Sequence, residues 1–192
     1  MSFSPSRLVA LQHRDFRLLW FGQAVSTVGS QMQLIAVNWH IYSLLREEVW
    51  TVELLGRVFE LDSGALGLGT LGLVRVFPIM LFALLGGILA DIVERRKLLL
   101  WADSLSAIFS IVLAVITLSG RITVPLIYLL TAIIAAVNTL GVPARQSIVP
   151  NLVPREHMTN AVSLNSLIFQ IGNIVGPAIG GLLVAQFDIG VV

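Results

Sequence analysis

The 192 residues contain no cysteine, only two tyrosines, and few charges: twelve Lys and Arg against eleven Asp and Glu, 12% of the chain. That share is about half of what a soluble domain carries. With hydrophobic residues at 56% and a mean hydropathy of +0.90, a soluble fold of this length would lack the polar surface to cover its core. Composition therefore points to a membrane protein whose first partner is the lipid bilayer. The absence of cysteine excludes disulfides, thiolate metal sites and cysteine nucleophiles. His13, His40 and His157 are scattered, and no paired carboxylates, Ser–His pair or metal-ligand spacing occurs. Neither an enzyme nor a metal or other cofactor is expected on these residues. Residues 1–15 lack an apolar core, so no cleavable signal peptide is expected and the first spanning helix directs insertion itself.

Five segments are long and apolar enough to cross roughly 30 Å of hydrocarbon as helices: 16–45, 64–90, 98–119, 123–141 and 161–187. Their runs are continuous, not alternating, so an all-α fold is expected and strands are not. The net charge of +1 is less informative than its distribution. Arg7, Arg14, Arg17, Arg95, Arg96, Lys97, Arg145 and Arg155 fall on one side of these spans; Arg46, Arg57 and Arg121 fall on the other. This bias places residues 1–15 as a cytoplasmic tail. Because the bases are the orientation signal, nucleic-acid binding has no support. Five spans and a chain stopping at Val192 predict that 16–192 is an incomplete bundle cut from a larger design. The connection 46–62 is acidic, with five carboxylates against Arg46 and Arg57. Trp50, Leu54, Val58 and Leu61 recur at helical spacing, so it reads either as a surface amphipathic helix or as a solvated acidic loop.

Polar residues inside the spans are the candidates for function. In the first, Gln23, Ser26, Thr27, Ser30, Gln31 and Asn38 fall within one face, with Gln33 at its margin; that face lines either a neighbouring helix or a watery cavity. Arg75 lies deep in the second span, close in angle to Pro78 and Phe82. It reads as an anion or substrate contact, or as a snorkelling or hydrogen-bonding anchor. Asp103 begins a stripe with Ser106, Ala107, Ser110, Ala114 and Thr117 in the third span, and either pairs with nearby bases or carries a proton. In the fifth, Ser163, Ser166, Gln170 and Asn173 form a polar stripe. A second stripe on that helix holds Gly172, Gly176 and Gly180. Each glycine there costs roughly 1 kcal/mol against alanine and Pro177 roughly 3, a cost recovered when small residues let two membrane helices approach closely.

Two motifs together resemble the major facilitator superfamily of secondary transporters. Gly87, Leu89, Ala90, Asp91, Arg95 and Arg96 match its loop pattern between helices two and three, with Ile92 and Glu94 departing from it. Residues 172–181 match its fifth-helix antiporter motif at every fixed position: Gly172, Gly176, Pro177, Gly180 and Gly181. The stretches 143–156 and 160–165, and the Arg75–Pro78 spacing, resemble the drug and siderophore exporter branch that includes enterobactin exporters. The resemblance implies an all-α fold, the N-terminal portion (about five helices) of a twelve-helix transporter in the cytoplasmic (inner) membrane. It further implies efflux of a small amphipathic or anionic molecule by alternating access and proton antiport, with the missing C-terminal half as a partner. On it, Gln23, Thr27, Ser30, Arg75, Gln170 and Asn173 are substrate-cavity candidates. Gly87, Asp91, Arg95 and Arg96 would gate, and Asp103 is a possible proton carrier. The fourth span lacks the arginine that many drug–proton antiporters carry there. A rival reading is a stand-alone assembly or regulatory protein that binds a partner through its glycine-rich helix face.

Overall fold

Lipid offers no hydrogen bonds, so a continuous apolar run satisfies its backbone within itself by becoming a helix. The structure, a computed structural model, describes residues 5–47, 49–54 and 57–186, with side chains described at 8–47, 62–87 and 93–186. A 3₁₀ segment, Pro5–Gln12, leads into α1 (Arg14–Leu45); α2 (Ser63–Ile92), α3 (Arg95–Leu118), α4 (Val124–Ile148) and α5 (Met158–Gln186) follow. Of these, α2, α3, α4 and α5 lie in segments long and apolar enough to cross a membrane. The fifth expected span, α1, has 32 residues and thus the length. Its stripe of Gln, Ser, Thr and Asn keeps it from the apolarity of the others. The fold is all-α apart from one hairpin.

That hairpin corrects the expectation of no strands and replaces the amphipathic helix, one of the two readings of 46–62. β1 (Val49–Leu54) and β2 (Arg57–Asp62) pair antiparallel, from Val49 opposite Asp62 to Leu54 opposite Arg57. The sequence explains why: Trp50, Val52 and Leu54 alternate with Thr51 and Glu53, and β-branched and aromatic residues favour strands. The hairpin delivers Asp62 to the start of α2, where Oδ1 accepts from Gly64 N at 2.8 Å and Ala65 N at 3.3 Å. These are amide donors a helix start leaves unpaired.

A second difference concerns α4. It continues past the expected end at 141, through Pro143, to Ile148. Contacts with α3 hold the extra turns in place. A Cβ at Gly141 would lie 3.1 Å from that of Ala102, Ala144 is fully buried with Leu98 and Leu99, and Arg95 Nη1 donates to Ser147 O at 3.3 Å. Between α3 and α4 the chain reverses at Gly120, whose φ of 67° is the left-handed conformation glycine tolerates best.

The main packing pairs are α1 with α5, α2 with α4 and α3 with α4. One apolar cluster joins Ala10, Phe16, Val149, Val153, Ala161 and Leu164 at one end of the bundle. Another joins Val37, Ile41, Leu71, Leu113, Ile127 and Leu130. On α2, Leu73, Phe77, Met80 and Leu84 form an exposed stripe at helical spacing, a face that only lipid or further protein would keep from water.

Polar bonds tie the first cluster's end of α1 to α5. Trp20 Nε1 donates to Leu164 O at 3.0 Å, Ala10 N to Asn160 Oδ1 at 3.1 Å, and the imidazoles of His13 and His157 share a 3.0 Å hydrogen bond. Replacing His157 by alanine removes one such bond. We expect a loss of about 1 kcal/mol, read as roughly fivefold faster amide exchange around residues 10–16, with α3 and α4 unchanged. Equal exchange in both proteins would mean that the pair carries no stabilisation.

Candidate functional site

The polar stripe of α1 faces two adjoining clefts. The larger, about 300 Å³, lies between α1, α3 and α4. Its walls carry Ser26, Ser30, Gln33 and His40 from α1, Asp103, Ser106, Ser110 and Thr117 from α3, and Asn138 from α4. The smaller, about 160 Å³, lies between α1, α2 and α4 and adds Arg75 and Thr131. Ser30, Gln33, Val37 and Asn138 border both. Ser110 Oγ donates to Gln33 Oε1 at 3.2 Å, fixing α1 against α3 in the wall of the larger cleft. Arg75 Nη1 donates to Asn38 Oδ1 at 3.3 Å, linking α2 to α1.

The six expected cavity residues do not gather in one place. Ser30 borders both clefts and Arg75 the smaller one. Gln23 is buried one and two turns before Thr27 and Ser30, and its Nε2 finds no hydrogen-bond partner among the described residues. Thr27 is packed against α5, its Cγ2 only 2.6 Å from where a Cβ on Gly172 would be. Gln170 and Asn173 are exposed on α5 and border neither cleft; Asn173 Oδ1 accepts from Gln31 Nε2. Within this chain Thr27 lies in the α1–α5 contact and Asn173 bonds across it to Gln31, while Gln170 is exposed. Thr131 and Asn138 were not among the expected residues. Their seven-residue spacing puts them on one face of α4, a signal the sequence did hold.

Asp103 meets Arg145 of α4 at 2.5 Å while bordering the larger cleft. Among the described residues bordering either cleft it is the one carboxylate. At the α2–α3 turn, Arg95 reaches Ser147 O as described, Arg96 is exposed, and no described heavy atom would meet a Cβ on Gly87 within 4 Å. Asp91 belongs to α2, but its side chain lies outside the described residues. Glu94 bonds Lys97 at 2.8 Å. The hydrogen bond from Lys97 and then its charge hold the Glu94 carboxyl below its ordinary range. What this exposed pair adds is therefore present at neutral pH and lost as acid titrates Glu94.

The glycine stripe of α5 lies against α1. Cβ atoms at Gly176 and Gly180 would fall 2.4 Å from Gln31 Cβ and 3.0 Å from Met32 Cα, whereas Gly181 has open space among the described residues. The helix passes through Pro177 unbroken.

Polar side chains from α1, α2, α3 and α4 thus border two clefts, and comparison with known proteins supplies the family. Residues 5–191 match the family described as transmembrane secretion effector, a major-facilitator family. The chain belongs to that family. It is a multi-pass membrane protein, and its architecture fits the N-terminal portion of a major-facilitator fold. It is 30% identical over 164 residues to the staphyloferrin A transporter of Staphylococcus aureus, covering 83% of this chain and 36% of that protein. It is 30% identical over 174 residues to the enterobactin exporter EntS of Salmonella choleraesuis (91% and 38%). The enterobactin exporter EntS of Shigella boydii is 31% identical over 173 residues (90% and 38%). The chain thus spans a little over a third of the length of these relatives. No solved structure matches it.

Proposed function

We propose that this chain supplies the first part of a secondary transporter that exports a small amphipathic or anionic molecule of the siderophore type. The observation that carries this reading is the pair of adjoining clefts bordered by polar side chains of α1, α2, α3 and α4, in a member of a secretion family. Relatives named as transporters of staphyloferrin A and enterobactin supply the substrate class. In this reading the protein sits in the bacterial inner membrane with residues 1–15 in the cytoplasm, and transports rather than catalyses. Further protein completes the cavity, and there Gln170 and Asn173, exposed on α5, would face it. Asp91, Arg95 and Arg96 beside Gly87 gate the cytoplasmic end. Export runs against protons, with Asp103 as carrier and Arg145 as the partner that takes it back.

The rival reading, a regulatory protein that docks through its glycine-rich face, is disfavoured by one observation: α1 already covers Gly172, Gly176 and Gly180. The test is accumulation in cells deleted for the natural polypeptide. We expect a siderophore of the enterobactin or staphyloferrin A type to build up inside the deletion strain and to fall again when the protein is restored. Equal internal levels in all strains would reject export of this class.

A further inference from the structure

Arg75 sits at the middle of the apolar span Ser63–Gly87, with twelve residues to either end, about 18 Å of helix on each side. A charge at that depth is costly on every scale and calls for a partner. Its described side-chain bond goes to a neutral acceptor, Asn38 Oδ1. Among the described residues no carboxylate lies within 4.0 Å of it; the ion pairs there are Lys97–Glu94 and Arg145–Asp103. A guanidinium has five N–H donors in a planar fork suited to a carboxylate, and Asn38 takes one of them.

A second observation falls in the same cleft. Thr131, opposite on α4, is only 7% exposed, and its Oγ1 is buried with no hydrogen-bond partner among the described residues. In a helix a threonine hydroxyl ordinarily bonds back to the preceding turn, as Thr117 and Thr139 do here. A buried hydroxyl without a partner is costly. Both groups lack what an oxyanion supplies: a negative charge for Arg75 and an acceptor for Thr131.

We propose that Arg75 and Thr131 form an oxyanion subsite that takes a carboxylate group of the exported molecule. The smaller cleft, about 160 Å³, accommodates such a head group, and the body of the molecule occupies the adjoining 300 Å³. Asn38 holds the guanidinium in place from the side. The assignment rests on the export reading and adds to it a charge requirement on the substrate.

The experiment measures binding of benzoate and citrate, with their methyl esters as neutral controls, to the purified natural polypeptide in nanodiscs. We expect the acids to bind and the esters not to. Arg75→Gln weakens the acids by about tenfold or more, the scale of a lost charge-assisted contact, and Arg75→Lys by less. Thr131→Val, close in shape and without the hydroxyl, weakens them about fivefold; it carries the decision where R75Q does not fold. Esters that bind as well as acids, acids that do not bind, or acid binding indifferent to both substitutions each overturn the subsite. The last is the result expected when a carboxylate of further protein neutralises Arg75. Efflux from the deletion strain is scored in parallel. Efflux with charge-indifferent binding removes the subsite alone, whereas absent efflux removes the export reading whatever the acids do.

Discussion

Replacing Gly176 by leucine is expected to abolish export while the chain still inserts into the membrane. A Cβ at this position would lie 2.4 Å from Gln31 Cβ, 3.0 Å from Val28 O and 3.4 Å from Gln31 Cα. Ordinary carbon separations are about 3.5–4.0 Å, so α1 must retreat by roughly 1 Å even for alanine. Two of the three obstructing atoms are backbone, which no rotamer change can move. Overpacking of this kind typically costs about 1–3 kcal/mol, and a leucine demands a larger displacement. Insertion survives because it depends on apolarity, which leucine increases. The neighbours grade the effect. At Gly180 the obstruction is Met32 Cα and O at 3.0 and 3.2 Å, whereas at Gly172 the nearest atom is the tip of Thr27, which can rotate. Alanine substitutions should therefore destabilise in the order 176, 180, 172. Gly181→Leu, facing open space among the described residues, is the control. Thermal melting in detergent, with export from the deletion strain, measures all four; normal export by G176L would falsify the packing account.

If export runs against protons as proposed, Asp103→Asn is expected to bring it down to the level of cells without the protein. The carboxylate borders the larger cleft and pairs with Arg145 at 2.5 Å, so proton uptake and loss of the ion pair are the same event. Asparagine keeps the shape and a hydrogen bond to Arg145 but cannot exchange a proton. The pair is partly exposed, at 24% for Arg145 and 46% for Asp103, so its stabilisation is of the small order of surface pairs, about 1 kcal/mol or less. D103N should consequently fold. Exchanging the two residues, Asp103→Arg with Arg145→Asp, separates the roles. It restores the pair without restoring a carboxylate on α3, and export is expected to stay lost. Recovery of export in the exchanged protein would mean that a paired carboxylate on either helix suffices, and the specific role of Asp103 on α3 would fall.

The helices were legible along the chain, because each apolar run is scored by its own residues against lipid. The boundaries that moved did so for contacts the run itself does not contain. α4 continues through Pro143 because Gly141, Ala144 and Ser147 meet α3. The hairpin at β1 and β2 was hidden by four apolar residues that fit helical spacing, although Trp50, Val52 and Leu54 also keep a period of two. Beside the clefts, Ser30 and Arg75 were legible as polar groups inside the expected spans. Thr131 was overlooked because a lone threonine in a helix normally satisfies itself, and only its lack of a partner makes it stand out.

By itself, the sequence determined that this protein lives in a membrane, that one stripe of α5 must meet another helix closely, and which side chains are too polar for lipid. Transfer free energies and glycine costs are local and nearly additive, so they can be read residue by residue. Only the tertiary structure decided where each polar group goes: Ser30 and Arg75 to the clefts, Thr27 beneath Gly172, and Asn173 to the edge beside Gln31. A helical face is shared by residues that meet different neighbours. Which neighbour each one meets is set by how the helices rotate and cross, and that is fixed by their joint packing.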